Sequence, residues 1–142
     1  MISNGRKRVL VVDDDTDYLE DLRLLLKPAY DVHTAASTDS AAALIPDLKP
    51  HCLILDMDMP GHFGDNSTVE GLAFLRYIRD RIGAEPAFAV GAVVVSSHLT
   101  PSLRKKFAGC GVAAAMEKPV RLAELTDGIE RAAALSEPPA PA

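Results

Sequence analysis

Five polar residues follow short apolar runs of the chain. Asp13 and Asp14 come directly after RVLVV, Asp56 after CLIL, Ser96 after VVV, and Lys118 two residues after VAAAM. Carboxylate oxygens are ligands that Mg²⁺ prefers, and a metal ion with an ammonium group offsets the negative charge of a phosphoryl group. A carboxylate can also attack such a group as a nucleophile. The residue types therefore favour phosphoryl chemistry, with Asp56 as a candidate nucleophile.

The carboxylates need compensation if they share one site. Three of them close together repel by several kcal/mol at an effective dielectric constant of about 20. They must then be protonated, solvated apart or neutralised by a cation. Simpler structural roles are also open: Asp13 and Asp14 could cap a helix, Asp56 could belong to a turn, and Lys118 could form a surface ion pair.

Alternating apolar and amphipathic segments predict the elements that position these residues. Each crossover between apolar runs is too long for a hairpin, which indicates parallel strands in a doubly wound α/β sandwich. Pro46 should end or kink the second helix early. The predicted strands are 8–12, 31–35, 52–55, 90–95 and 112–116. The first two predicted helices are 16–27 and 38–48. The third begins at Ser67, with Glu70 in capping-box spacing, and its apolar face consists of Leu72, Leu75, Ile78 and Ile82. The fourth runs from Thr100 to about Gly109 or Gly111, and the fifth covers 121–135, with Leu125, Ile129 and Ala132 facing inward.

Composition narrows the class of protein. The 142 residues amount to about one domain, and the net charge of −5 offers no basic excess for binding nucleic acid. The sequence has no apolar stretch of membrane-spanning length and no secretory leader, so we expect a soluble, cytoplasmic protein without membrane contacts. Cys52 and Cys110 fit no disulfide framework or metal spacing, which predicts two buried thiols.

The motifs VLVVDDD, LILDMDMPG, VVVSSH and MEKPV, in this order, resemble the receiver domain of two-component response regulators. The resemblance covers residues 7–135, with residues 1–6 as an N-terminal extension and 136–142 as a Pro/Ala-rich tail. It implies a flavodoxin-like fold, five parallel strands in the order 2-1-3-4-5 with five helices. It also implies that Asp56 accepts the phosphoryl group, and that Asp13, Asp14, Asp56 and the backbone carbonyl of Asp58 bind Mg²⁺.

The resemblance assigns roles to the remaining residues and implies partners. Ser96 would contact the phosphoryl oxygens, Lys118 would pair with the phosphoryl group or with Asp56, and the peptide between Lys118 and Pro119 would be cis. The phosphoryl donor would be a histidine kinase or a histidine phosphotransfer protein. Because no output segment follows, we expect signalling through a downstream protein target rather than direct nucleic-acid binding. A homodimer through the region of the fourth and fifth helices is conceivable.

Three features depart from the family pattern. Residues 62–68 form an insertion beside Asp56, which either shapes kinase recognition or is a tolerated surface loop. Ala115 stands where many receivers carry an aromatic switch residue, so the usual coupling to Ser96 is in question. The carboxylate of Asp58 is hypothesised to alter the lifetime of the phosphorylated state, which the dephosphorylation rate of Asp58→Asn would test.

Two other functions compete with this interpretation. The DMD sequence at 56–58 also resembles the nucleophile motif of haloacid-dehalogenase-type phosphatases. In those enzymes the motif lies on the first core strand, whereas here an acid pair precedes it. The second alternative is a receiver-like interaction module that takes no phosphate, against which the complete set of five site residues argues.

Overall fold

The computed structural model describes residues 5–57, 59, 70–82, 90–97, 99–107 and 110–136, without the side chains of residues 81 and 82. Within these ranges five strands alternate with five α-helices, as predicted. The strands are β1 (Arg8–Val12), β2 (Asp31–Ala35), β3 (Cys52–Asp56), β4 (Gly91–Ser96) and β5 (Val112–Glu117). The helices are α1 (Thr16–Leu26), α2 (Thr38–Leu48), α3 (Glu70–Tyr77, continued by a π-helical segment Ile78–Ile82), α4 (Pro101–Lys106) and α5 (Leu122–Ser136).

The strands form one parallel sheet in the order β2-β1-β3-β4-β5, which confirms the predicted topology. Strand order reverses beside β1, because the chain moves outward to β2 and then returns to the other side of β1 with β3. In open sheets of this kind, ligands bind at the carboxyl ends of the strands near that reversal. The candidate residues after β1 and β3 lie at that position.

Apolar side chains cover both faces of the sheet. One buried cluster joins one face to α2 and α3 through Ile45, Leu72 and Phe74. The other cluster joins the opposite face to α1 and α5 through Leu22 and Ile129. Burial on both faces explains why the strands are continuous apolar runs rather than alternating patterns.

The ends of the helices follow the local sequence. Asp15 and Ser37 cap α1 and α2, and Thr100 caps α4 with Pro101 at its first position. Pro46 does not end α2 early, which was one of the two effects predicted for it, since the helix continues to the predicted Leu48. Pro46 lies in the last turn, where the missing N–H removes only one helical hydrogen bond, and buried Ile45 anchors that turn.

Most of the other local expectations hold within the described residues, although α4 ends at Lys106, short of the predicted Gly109 or Gly111. The inward residues of α3 and α5 are buried, although Ser67, Gly109 and the side chain of Ile82 fall outside those residues. Both cysteines are buried free thiols, as predicted. No helix in the described part of the chain is long and apolar enough to cross a membrane.

Candidate functional site

The candidate site is built on the carboxyl ends of β1 and β3. These strands pair in parallel, with Val12 opposite Leu55, so Asp13 and Asp56 leave the sheet side by side. The backbone at this edge is held by hydrogen bonds beyond the strand ends: the Asp13 N–H donates to the Ala35 carbonyl at 3.1 Å, and the Met57 N–H to the Val95 carbonyl at 2.9 Å. The carboxylates therefore stand on a backbone that is fixed on both sides.

Asp13, Asp14 and Asp56 come together as an acidic cluster. Each offers one carboxylate oxygen, and the three oxygens lie within 4.8 Å of one another. Asp13 and Asp56 are buried, whereas Asp14 is exposed. An all-oxygen donor set that is closed on one side and open to water on the other suits Mg²⁺, which keeps several water ligands. The residues present thus fit the metal that the sequence predicts.

Lys118 supplies the positive charge of the site. Its Nζ lies 3.4 Å from Asp13 Oδ2 and 3.5 Å from Asp56 Oδ2, and 5.2 Å from the ring centroid of Tyr18. Partial burial lowers the pKa of Lys118, but the charges of Asp56 and Asp13 outweigh that effect and the pKa is raised overall. The ammonium group therefore stays protonated at neutral pH. The peptide between Lys118 and Pro119 is cis, as expected.

The pKa of Asp13 is raised by its surroundings in the acidic cluster. Burial raises it above its ordinary value, and the charge of Asp56 raises it further. The Asp15 N–H, which donates to Asp13 Oδ1 at 2.9 Å, and Lys118 both act in the opposite direction. Since the net shift is upward, the ionised form of Asp13 is only partly compensated by the protein's own groups.

Ser96 ends β4 at the same edge. It is fully buried, and its neighbour Val95 lies opposite Asp56 in the register of β3 and β4. The Lys118 N–H donates to the Ser96 carbonyl at 2.9 Å, so the backbones of these two residues are joined directly. Ser96 thus ends its strand at the edge of the sheet where Lys118 and the three carboxylates meet, and an ammonium group beside a cation-binding carboxylate cluster suits a phosphoryl group.

Comparison with known families agrees with this geometry. The model of the response regulator receiver domain matches residues 9–130. The chain belongs to the response regulator receiver family. Over 80 residues, 56% of the chain, the receiver domain is 34% identical to the hydrogenase transcriptional regulatory protein HoxA of Cupriavidus necator. The match spans only 15% of that relative's length.

Solved structures share the fold of this receiver domain. A CheY-like receiver domain protein from Methanospirillum hungatei superposes with a TM-score of 0.75 at 23% identity, covering 92% of this chain and 95% of that chain. A response regulator protein from Burkholderia pseudomallei superposes with a TM-score of 0.69 at 18% identity, covering 90% of this chain and 69% of that one. The Burkholderia structure contains a phosphorylated aspartic acid, a calcium ion and citrate.

Two contacts of the receiver domain were not anticipated from the sequence. The Lys118 ammonium group lies over the ring of Tyr18 and makes a cation–π contact with it. Glu117 Oε1 accepts a hydrogen bond from the Leu99 N–H at 3.1 Å, which joins the end of β5 to the segment between β4 and α4. The sequence signals only that Tyr18 is in the first turn after the acid pair and that Glu117 precedes Lys118.

Some predicted features of the receiver domain lie outside the described residues. Asp58 and the insertion at 62–68 are among them, so their predicted roles stay predictions. Ala115 is described: it is half-buried on β5 and packs against the cluster that contains Phe74 and Phe107. The predicted loss of coupling between this position and Ser96 stays a prediction.

Removing the charge of Asp13 is expected to stabilise the metal-free receiver domain. Because the pKa of Asp13 is raised on folding, its contribution to stability is present at low pH and is lost as pH rises through that pKa. Asp13→Asn should therefore raise the free energy of unfolding by about 1 kcal/mol at pH 7 without Mg²⁺. Urea denaturation as a function of pH would show this gain shrinking as pH falls. Equal stability of the two chains at neutral pH would contradict the prediction.

Proposed function

We propose that this receiver domain accepts a phosphoryl group on Asp56 in the presence of Mg²⁺ and thereby switches its contacts with other proteins. The supporting observation is the meeting of the Asp56 carboxylate with Asp13, Asp14 and the Lys118 ammonium group at one sheet edge. The phosphoryl donor is a histidine kinase or a histidine phosphotransfer protein, the donor class that the family implies. A cytoplasmic location and a downstream protein target remain predictions.

Each group of the site has a role in this chemistry. A carboxylate oxygen of Asp56 attacks phosphorus, the bond from phosphorus to the donor atom breaks, and the donor keeps the electron pair. Lys118 balances negative charge on the phosphoryl oxygens, and the Ser96 hydroxyl donates a hydrogen bond to one of them. Asp13, Asp14, Asp56 and the Asp58 carbonyl would hold Mg²⁺, which supplies further charge neutralisation.

Intact-mass measurement tests this proposal. Incubation with acetyl phosphate and Mg²⁺ should add the mass of one phosphoryl group per chain, and Asp56→Asn should abolish the adduct. Asp21→Asn is the matched control, because it removes an exposed carboxylate of α1 and should leave the adduct unchanged. No adduct on the native chain would favour the interaction module, and multiple turnover of a small phosphate ester would favour the phosphatase.

A further inference from the structure

Among the buried carboxylates of the described residues, Glu70 takes no part in the phosphoryl chemistry. Glu70 is the first residue of α3 and is only 7% exposed. Its Oε2 accepts a hydrogen bond of 2.7 Å from the hydroxyl of Thr38, which is 1% exposed. Burying a carboxylate raises the free energy of the folded state unless the carboxylate is well hydrogen-bonded. The capping-box role predicted for Glu70 does not account for this hydrogen bond from α2.

The Thr38–Glu70 hydrogen bond joins the first turns of α2 and α3. Thr38 follows the carboxyl end of β2, where the Ala35 carbonyl accepts the hydrogen bond of the Asp13 N–H. The N-terminus of α2 is thus connected, through three residues of backbone, to the strand end that carries Asp13. A displacement of α2 at Thr38 would be transmitted to that strand end.

The other side of the hydrogen bond leads to Asp56. Gly71, the residue after Glu70, packs directly on the backbone of Met57, since a Cβ atom on Gly71 would lie 2.7 Å from Met57 Cα. No real Cβ contact is that short, so the first turn of α3 rests against the residue that follows Asp56. The position of Glu70 therefore bears on the position of the Asp56 backbone.

These contacts connect the backbone of Asp13 to that of Asp56 through the first turns of α2 and α3. We propose that the Thr38–Glu70 hydrogen bond positions Asp56 relative to Asp13, so that both residues set the affinity for Mg²⁺ and the rate of phosphoryl transfer. The effect on the rate of phosphoryl transfer rests on the proposed function, whereas the effect on the affinity for Mg²⁺ does not. Thr38 and Glu70 are positioning residues, because the contacts described above connect them to the site through Ala35 and Met57.

The matched substitutions are Thr38→Val and Thr38→Ser. Valine keeps the shape of threonine and removes the hydroxyl, while serine keeps the hydroxyl. Glu70→Gln retains an acceptor oxygen for Thr38 and removes the charge. Tyr30→Phe is the control for stability, since the Tyr30 hydroxyl donates a hydrogen bond of 2.7 Å to Glu130 at the opposite, amino edge of the sheet.

Mg²⁺ titration of the melting temperature gives the first measurement. Thr38→Val is expected to raise the half-saturating Mg²⁺ concentration by about tenfold, which is the usual effect of losing a residue that orients the metal ligands without binding the metal itself. Thr38→Ser, Glu70→Gln and Tyr30→Phe should keep the native value, although Tyr30→Phe also lowers the melting temperature itself. A merely structural role for Thr38 would lower the melting temperature without changing the Mg²⁺ midpoint.

The rate of adduct formation from acetyl phosphate gives the second measurement, at a temperature where circular dichroism shows every variant folded. Thr38→Val should be slower than the native chain at saturating Mg²⁺, and Thr38→Ser should match it. A native Mg²⁺ midpoint in Thr38→Val would overturn the positioning role. A native chain without an adduct, in which Thr38→Val still shifts the midpoint, would instead remove the proposed phosphoacceptor function and leave the positioning role standing.

Discussion

Lys118→Met is expected to slow the phosphorylation of Asp56 by roughly 100- to 1,000-fold, the usual effect of removing one preorganised group that stabilises developing charge. Methionine retains much of the length of lysine and removes the charge. The ammonium group lies 3.5 Å from Asp56 Oδ2 and stays protonated because the carboxylates raise its pKa despite partial burial. The initial rate of adduct formation, followed by intact mass with acetyl phosphate as donor, measures the loss.

Mg²⁺ binding separates the role of Lys118 from a general collapse of the site. Without the ammonium group, the acidic cluster is more negative, so Lys118→Met should bind Mg²⁺ at least as tightly as the native chain. Lys105→Met removes an exposed lysine of α4 and should leave both the rate and Mg²⁺ binding unchanged. Native phosphorylation kinetics in Lys118→Met would show that the lysine plays no part in the transfer.

The meeting of the site residues was predictable because a parallel sheet gathers its carboxyl ends on one edge. Asp13, Asp56 and Ser96 each needed only the end of a strand to be identified, and buried parallel strands are recognisable as continuous apolar runs. The structure fixed the strand ends to within about one residue of those predicted, for example β3 at Asp56 rather than Leu55. An error of that size does not move a side chain away from the edge of the sheet.

Contacts between helices were not predictable in the same way. Thr38 and Glu70 both carry polar side chains in the first turn of a helix, where capping and solvent exposure are the usual roles. Their burial depends on how α2 and α3 pack on the sheet and on each other, which no periodicity in either segment encodes. Tyr18 is a similar case, because the face of α1 that meets Lys118 is set by the packing of α1 on the sheet.

Gly91→Ala is expected to destabilise the fold by about 3 kcal/mol or more, at the upper end of the effects of overpacking a core. Gly91 is buried at the start of β4, and a Cβ atom there would lie 1.9 Å from the carbonyl oxygen of Ala132 and 2.8 Å from its Cα. These are backbone atoms of α5, which no side-chain rotation can move. The helix itself must shift, and the packing of Ile129 against the sheet is lost with it.

Gly128→Ala is the matched control for this prediction. The added Cβ atom would lie 2.7 Å from Met116 Cε, the flexible end of a side chain, and 3.2 Å from Val93 Cγ2, which must give by a few tenths of an ångström. Alanine favours a helix over glycine by about 1 kcal/mol, which offsets these contacts. We therefore expect a melting temperature close to that of the native chain for Gly128→Ala. For Gly91→Ala we expect a melting temperature about 10 °C lower or a chain that does not fold. Equal midpoints for the two variants would mean that α5 yields easily at Ala132, and the close approach of β4 and α5 would then not limit stability.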